Sequence, residues 1–237
     1  MGLRVLDGFE GLLGAAHEYK VDIARALIET CAALGCRVLL ASSSTDAHSG
    51  GEPAHIAGDL CKLATMALPF GIRIAYEGVS WGRHVPGLAA AAEVVSRVDL
   101  PNFGLGIDSY HWLAEGARAE LLEDLEIERV FVVQLSDFLW PDIGTVAECE
   151  ARGRHQRVFP GQGAHAAALQ QLLVTLDRLG YRGPYSLAVF NRDYLQLPPA
   201  AVPQRARRAA VWLAEDVLRR AVPLPHQLLS PRGRGRI

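Results

Sequence analysis

The sequence predicts an α/β fold of repeated strand–helix units, arranged either as a (β/α) barrel or as an open doubly wound parallel sheet. Three observations predict it. Short apolar runs alternate with longer stretches of helical periodicity along the whole chain. The short runs are continuously apolar, as expected for parallel strands covered on both faces. Run after run ends, on its C-terminal side, in a polar or charged side chain. The glycines form no GxGxxG after a first strand, so nothing supports a dinucleotide-binding version of the fold.

The elements follow in order. Leu3–Leu6 is a short opening strand. Between Tyr19 and Leu34, apolar residues recur at helical spacing (Val21, Ile23, Ala24, Leu27, Ile28, Cys31), and Gly35 provides a stop. Arg37–Ala41 is a buried-type strand running into Ser42. Pro53–Leu68 is a helix ended by Pro69 and Gly71. Arg73–Glu77 is the next strand, and Pro86–Val98 the next helix, with Pro86 suited to its first turn. Gly104–Asp108 is a strand, Glu115–Leu125 a helix and Arg129–Leu135 the most apolar strand. Ala164–Leu179 is helical and stops at Gly180. Tyr185–Phe190 is the last strand, and Pro203–Arg220 a closing helix with arginines on its polar face.

Bulk properties narrow the function. The chain has 237 residues, half of them hydrophobic, enough for a sizeable core. Its 24 basic and 26 acidic residues give a net charge of −2. That is no basis for phosphate-backbone binding, so nucleic acid is not an expected partner. The basic residues Arg232, Arg234 and Arg236 read as a terminal tail over 223–237, leaving one expected domain over 1–222. No apolar run reaches the ~18 residues of a membrane helix, and no signal peptide is visible, so a cytoplasmic location is expected. Cys31, Cys36, Cys61 and Cys149 have no CxxC spacing and read as free thiols.

The strand ends carry the chemistry. Ser42, Glu77, Asp108, Gln134 and Asp137 stand at the C-terminal ends of successive strands, the rim where barrel enzymes build their sites. A single carboxylate there can equally cap the next helix or pair with an arginine. Two carboxylates and an amide on three successive strands favour a shared site. Glu77, Asp108 and Gln134 offer oxygen ligands that suit Mg²⁺, Mn²⁺ or a similar divalent ion. His111, three residues after Asp108, could serve as a base. Arg157 could clamp a substrate carboxylate through two parallel hydrogen bonds. Trp81 and Trp112 follow the two carboxylate strands and could equally wall a pocket or pack as ordinary rim residues.

Four stretches carry a resemblance: Ile74–His84 (IAYEGVSWGRH), Pro101–His111 (PNFGLGIDSYH), Val132–Asp137 (VVQLSD) and Arg157–Gly163 (RVFPGQG), with Gly183–Asn191 (GPYSLAVFN) after them. In order and spacing they are similar to the xylose-isomerase-like TIM barrels called sugar phosphate isomerases/epimerases, and most of all to their 3-dehydroshikimate dehydratase branch. The likeness runs from about residue 3 to residue 195. It implies a TIM-type barrel in which Glu77, Asp108 and Gln134 match metal ligands, His111 the catalytic histidine and Arg157 a substrate-binding arginine. It implies a small polar or carboxylated sugar-like substrate and the dehydration of 3-dehydroshikimate to protocatechuate. Endonucleases on this fold resemble histidine-rich multi-zinc sites on a basic surface, and this sequence shows neither.

The departures from that pattern set a rival expectation. Ala188 stands where the family carries a fourth ligand, a glutamate in a pattern like SLEVFN. Gly153 stands where the dehydratases often have a serine, and Gln156 where they often have a histidine. The six strands match the family's third through eighth, so the barrel is expected to be truncated at its N-terminus, with exposed strand edges that favour self-association. A catalytically impaired relative is therefore the alternative to a working lyase or isomerase.

Overall fold

The computed structural model describes residues 5–142 and 144–221. The start of the expected Leu3–Leu6 strand and the tail 223–237, with His226 and its arginines, lie outside the described residues. The chain alternates β1 (Val5–Asp7), α1 (Gly14–Ala33), β2 (Val38–Ser42), α2 (Pro53–Ala67), β3 (Arg73–Glu77), α3 (Gly87–Val98) and β4 (Phe103–Asp108). Then come α4 (Ser109–Ala114), α5 (Glu120–Glu123), β5 (Val130–Leu135), α6 (Val146–His155), α7 (Ala166–Arg178), β6 (Tyr185–Leu187) and α8 (Ala201–Val211). The last helix runs on into a wider π-helical turn, Trp212–Val217.

All six strands are parallel and lie in chain order, β1 to β6, each hydrogen-bonded to the next. Among the described residues the sheet stays open, and its sequential parallel order is that of part of a TIM-type barrel. This decides between the two arrangements left by strict alternation, because a doubly wound sheet reverses its strand order at a switch point.

The pleat sends alternate residues to opposite faces. On the outer face Tyr76, Phe103, Ile107 and Val133 pack beneath the helices in one large core. On that side α3 presents Leu88, Ala91, Val94, Val95 and Val98, the three-to-four spacing of a buried stripe. On the inner face Val38, Leu40, Ala75 and Val132 form a second, smaller core with Phe131. Gly106 makes room there: a Cβ at that position would lie 2.7 Å from Leu40 Cδ1.

The same register builds the rim. Asp7, Ser42 and Glu77 are partners across β1, β2 and β3, and Asp108, Gln134 and Ser186 across β4, β5 and β6. Between β3 and β4 the pairing runs Tyr76↔Leu105, so Asp108 stands two residues higher than a level row would place it. This is the stagger that a barrel sheet requires.

Three elements differ from the sequence expectation. The helix expected over Glu115–Leu125 instead starts at Ser109, because the Asp108 side chain accepts the Tyr110 N–H at 2.8 Å and caps it at the strand end. It stops at Gly116 (φ 88°) and Ala117 (φ 54°), leaving only the single turn α5. Helix α6 had no expected counterpart. Its polar sequence shows little amphipathic periodicity, and it is started by a capping box between Thr145 and Glu148. Strand β6 ends at Leu187 rather than Phe190, because the chain turns toward residues 156–158. There Arg157 N donates to Phe190 O, and Asn191 Nδ2 donates to Arg157 O.

Candidate functional site

The five residues expected to form a site do meet. Glu77, Asp108, His111, Gln134 and Arg157 line one cavity of about 420 Å³ at the C-terminal ends of the strands, together with Asp7, Ser42, Trp81, Arg154, His155 and Phe190. Glu77, Asp108, His111, Gln134 and Arg157 are all buried.

Each side chain is held by its element. Glu77 ends β3, and its Oε2 accepts a hydrogen bond from Gln134 Nε2 at 2.5 Å, across from β5. Asp108 ends β4; beyond capping α4 through Oδ1, it receives Arg157 Nη1 on Oδ2 at 2.5 Å. Arg157 also donates through Nε to Gly153 O at 2.6 Å and is sandwiched by the rings of Tyr110 and Phe190, 4.5 and 5.1 Å from its guanidinium carbon. At 3% exposure it still lines the cavity, and among the described residues its Nη2 has no hydrogen-bond partner. The structure thus places the expected substrate clamp as a partner of Asp108.

His111 sits in the first turn of α4, edge-on to Trp81 with ring centroids 4.8 Å apart. Its Nδ1 accepts the Ser80 backbone N–H at 3.0 Å, with Ser80 Oγ 2.7 Å away. A backbone N–H can only donate, so in the neutral ring Nδ1 is bare and the proton is on Nε2. Burial drives the ring's pKa down to about 3; Asp108 opposes this and Arg157 reinforces it. Glu77 moves the other way. Burial first, and the Asp108 carboxylate second, push its pKa up to about 8, against the pull of Arg157 and the Gln134 hydrogen bond. The 3.7 Å approach of His111 Nε2 to Glu77 Oε1 meets the distance criterion for an ion pair. With the acid raised and the ring lowered, it is instead a contact between two neutral groups.

The donor set fits a metal ion. Atoms of Glu77, Asp108 and His111 lie within 4.8 Å of one another, all buried, and with Ser80 on Nδ1 and the proton on Nε2 it is the two carboxylates that offer free lone pairs. Each carboxylate oxygen bonded here keeps a second lone pair. Two buried carboxylates, with burial first and the Asp108 charge second raising Glu77, are a pair that a cation would relieve. Gln134 adds an amide oxygen at the same rim. Ala188 follows β6 directly, two residues beyond Ser186, the register partner of Gln134, and offers only a methyl group.

Two expectations are corrected. Asp137 stays outside the cavity: its oxygens accept the backbone N–H groups of Phe138, Gly163 and His165, pinning the 159–165 loop to the end of β5. Trp112 is wholly buried in the core, and only Trp81 walls the cavity. The sequence reading had also passed over Asp7, Ser80, Arg154, His155 and Phe190. Asp7 carried the same strand-end signal as Glu77. The others lie in loops or on α6, and only the fold brings them to the site.

Residues 5–215 match the xylose isomerase-like TIM barrel family model. The chain is 35% identical over 209 residues to the 3-dehydroshikimate dehydratase of Pseudomonas aeruginosa, covering 87% of this chain and 32% of that protein. It is 27% identical to the inosose isomerase of Bacillus subtilis, covering 89% of this chain and 74% of the other. The chain thus spans about a third of the length of the Pseudomonas dehydratases it matches. Among solved structures, it superposes on the IOLI protein with a bound zinc atom at a TM-score of 0.76 and 25% identity, covering 90% of this chain and 75% of that one. A xylose isomerase-like TIM barrel/4-hydroxyphenylpyruvate dioxygenase fusion protein superposes at 0.79 and 29% identity, over 97% of this chain and 35% of the other. Sequence motifs, parallel strand order and rim geometry agree with these likenesses: the chain belongs to the xylose isomerase-like TIM barrel family.

Proposed function

We propose that this chain is a divalent-metal-dependent lyase or isomerase acting on a small ring-shaped hydroxyketone, with dehydration of 3-dehydroshikimate to protocatechuate and water as its best-supported reaction. The observation that carries this reading is the gathering of Glu77, Asp108 and Gln134 oxygens at the buried end of a cavity of about 420 Å³, with His111 beside the two carboxylates. The dehydratases and the inosose isomerases among its relatives support the substrate class.

In this reading Glu77, Asp108 and Gln134 hold the ion, with His111 beside it. A bound divalent ion polarises a ketone and stabilises the enolate formed when the neighbouring carbon loses its proton. The chain's own residues do the rest. Arg157 fixes the Asp108 carboxylate through Oδ2, as the Tyr110 N–H does through Oδ1. Trp81 offers a flat apolar wall to a six-membered ring. His111 holds its proton at Nε2, because Ser80 occupies Nδ1. In this resting tautomer it donates a hydrogen bond to a substrate oxygen, and it would accept the carbon-bound proton as the expected base only with its own proton moved to Nδ1. In balance, one C–H and one C–O bond break, one C=C bond forms and the hydroxyl departs with a proton as water; the remaining ketone then enolises to the phenol, a second carbon-bound proton moving to its oxygen.

The test is turnover of 3-dehydroshikimate by the purified chain with added Mn²⁺ or Mg²⁺, followed as protocatechuate absorbance. Metal-dependent product formation lost in Glu77→Gln and His111→Ala supports the reading, and product formation unaffected by chelator and by both substitutions refutes it. Ala188 favours a second reading, a member of the family with impaired metal binding. That reading predicts no turnover by the parent and its appearance in Ala188→Glu.

A further inference from the structure

We propose that Arg154 is the anion-recognising residue of this cavity, so that the molecule bound there is a hydroxylated ring carboxylate rather than a neutral ring polyol. The inference rests on the cavity being a substrate site, as argued above, and adds to that reading the residue that selects the ligand's charge.

Within the cavity Glu77 and Asp108 lie deep and Arg154 lies toward solvent. Glu77 and Asp108 have side chains 8% and 2% exposed, whereas that of Arg154 is 45% exposed. Arg154 lines the same cavity from the last turn of α6. Of its two arginines, Arg157 spends Nε on Gly153 O and Nη1 on Asp108 between two rings, which leaves it only Nη2 and no two-pronged face for a carboxylate. Arg154 is held differently. Its Nε donates to Glu150 Oε1 at 2.9 Å, one helical turn back, and its guanidinium carbon lies 5.5 Å from the Trp81 ring centroid. Among the described residues its two terminal nitrogens have no acceptor. A guanidinium oriented by one acid and one aromatic face, with both terminal N–H groups free, is set for a carboxylate.

The wall geometry places the rest of such a ligand. Arg154 lies on Trp81, and Trp81 packs edge-on against His111. A carboxylate on Arg154 therefore lays its ring along Trp81 and carries the ring's far side toward His111. Gly153 keeps this wall closed up, since a Cβ there would sit 2.8 Å from both Trp81 and Tyr110 ring atoms. A neutral polyol would leave the terminal N–H groups of Arg154 with no charged partner.

The experiment is calorimetric titration of the full chain with shikimate (a cyclic hydroxylated carboxylate) and with myo-inositol (a neutral ring of similar size). It is run on the parent, Arg154→Gln and Arg154→Lys, each at low and high salt. The parent is expected to bind shikimate about tenfold or more tightly than myo-inositol, as a charge-assisted pair implies. Arg154→Gln is expected to lose that advantage while leaving myo-inositol binding unchanged. Arg154→Lys keeps part of the advantage, and added salt weakens only shikimate binding. Unchanged circular dichroism and melting curves in both variants confirm folding. Equal affinities of the parent for the two probes, no binding of either, or full shikimate affinity in Arg154→Gln would each overturn the inference. The reaction assigned above can fail separately: Arg154-dependent shikimate binding without any turnover would refute that reaction and leave this inference standing.

Discussion

At the residue scale the site is a problem of buried charge. Arg157 and Asp108 are each almost fully buried and are each other's counter-charge. Such a pair adds little net stability over an apolar substitute, but removing one partner strands the other. Arg157→Met is expected to destabilise the fold by about 3–5 kcal/mol, read from urea unfolding. Arg157→Met/Asp108→Leu is expected to recover most of that loss. At the metal end, Ala188→Glu is expected to tighten Mn²⁺ binding by about tenfold or more in calorimetric titration, since each anionic oxygen ligand adds to the attraction for a hard cation. Unchanged affinity would mean that position 188 does not reach the ion.

A second buried acid makes a pH prediction away from the metal site. Glu10 is 3% exposed, and its Oε1 accepts from the Ser44 N–H and the Tyr76 hydroxyl; its Oε2 has no partner among the described residues. Burial raises its pKa above the ordinary carboxylate value, more than these hydrogen bonds lower it. A raised acid binds its proton more tightly in the folded state. Its contribution is therefore fully present below the ordinary carboxylate pKa and is lost as pH rises through the folded value. Glu10→Gln, which mimics the protonated form, is expected to flatten the decline in unfolding midpoint between mildly acidic and mildly alkaline pH. An unchanged slope would assign that decline to other groups.

At the scale of elements, the strands were the most legible part of the sequence. Arg73–Glu77 and the run ending at Asp108 and at Leu135 are continuous apolar segments with a polar end, and the sheet puts them side by side in chain order. Helices were legible where their apolar stripe was strong, as in α3, and illegible where it was weak. Helix α6 buries little beyond Cys149 and Gly153, so periodicity did not reveal it, although Thr145 and Glu148 carried its start signal. The inner face of the sheet also depends on small residues. Gly106→Val is expected to cost about 1–3 kcal/mol by overpacking against Leu40, measured as a lower urea midpoint. A neutral outcome would mean that the inner layer can shift to admit it.

At the scale of the whole molecule, the fold works as an open parallel sheet whose outer face is sealed by helices and whose inner rim gathers donors from five strands. A ligand that binds only this assembled rim stabilises the entire fold. Saturating Mn²⁺ at about one hundred times its dissociation constant is expected to stabilise the chain by about 2.7 kcal/mol, seen as a chelator-reversible rise in melting temperature. A melting curve indifferent to Mn²⁺ and chelator would place the rim among structural carboxylate networks. No helix of the described residues is long and apolar enough to cross a membrane.

The sequence by itself determined the α/β class, the strand order's raw material and five residues that converge on one cavity, because these depend on local hydrophobic period and on what side chain ends each strand. Only the tertiary structure decided what those residues are to one another. Asp108 caps α4 and holds Arg157; Ser80 sets the tautomer of His111; Asp137 serves a loop instead of the site. Apart from the α4 cap, such roles depend on distances of a few ångströms between segments 26 or more residues apart, on burial that moves Glu77 and His111 in opposite directions, and on a helix, α6, that swings Arg154 over Trp81. Hydrophobic periodicity specifies which face of an element is buried; it carries no information about which polar groups from distant elements share the space left at the rim.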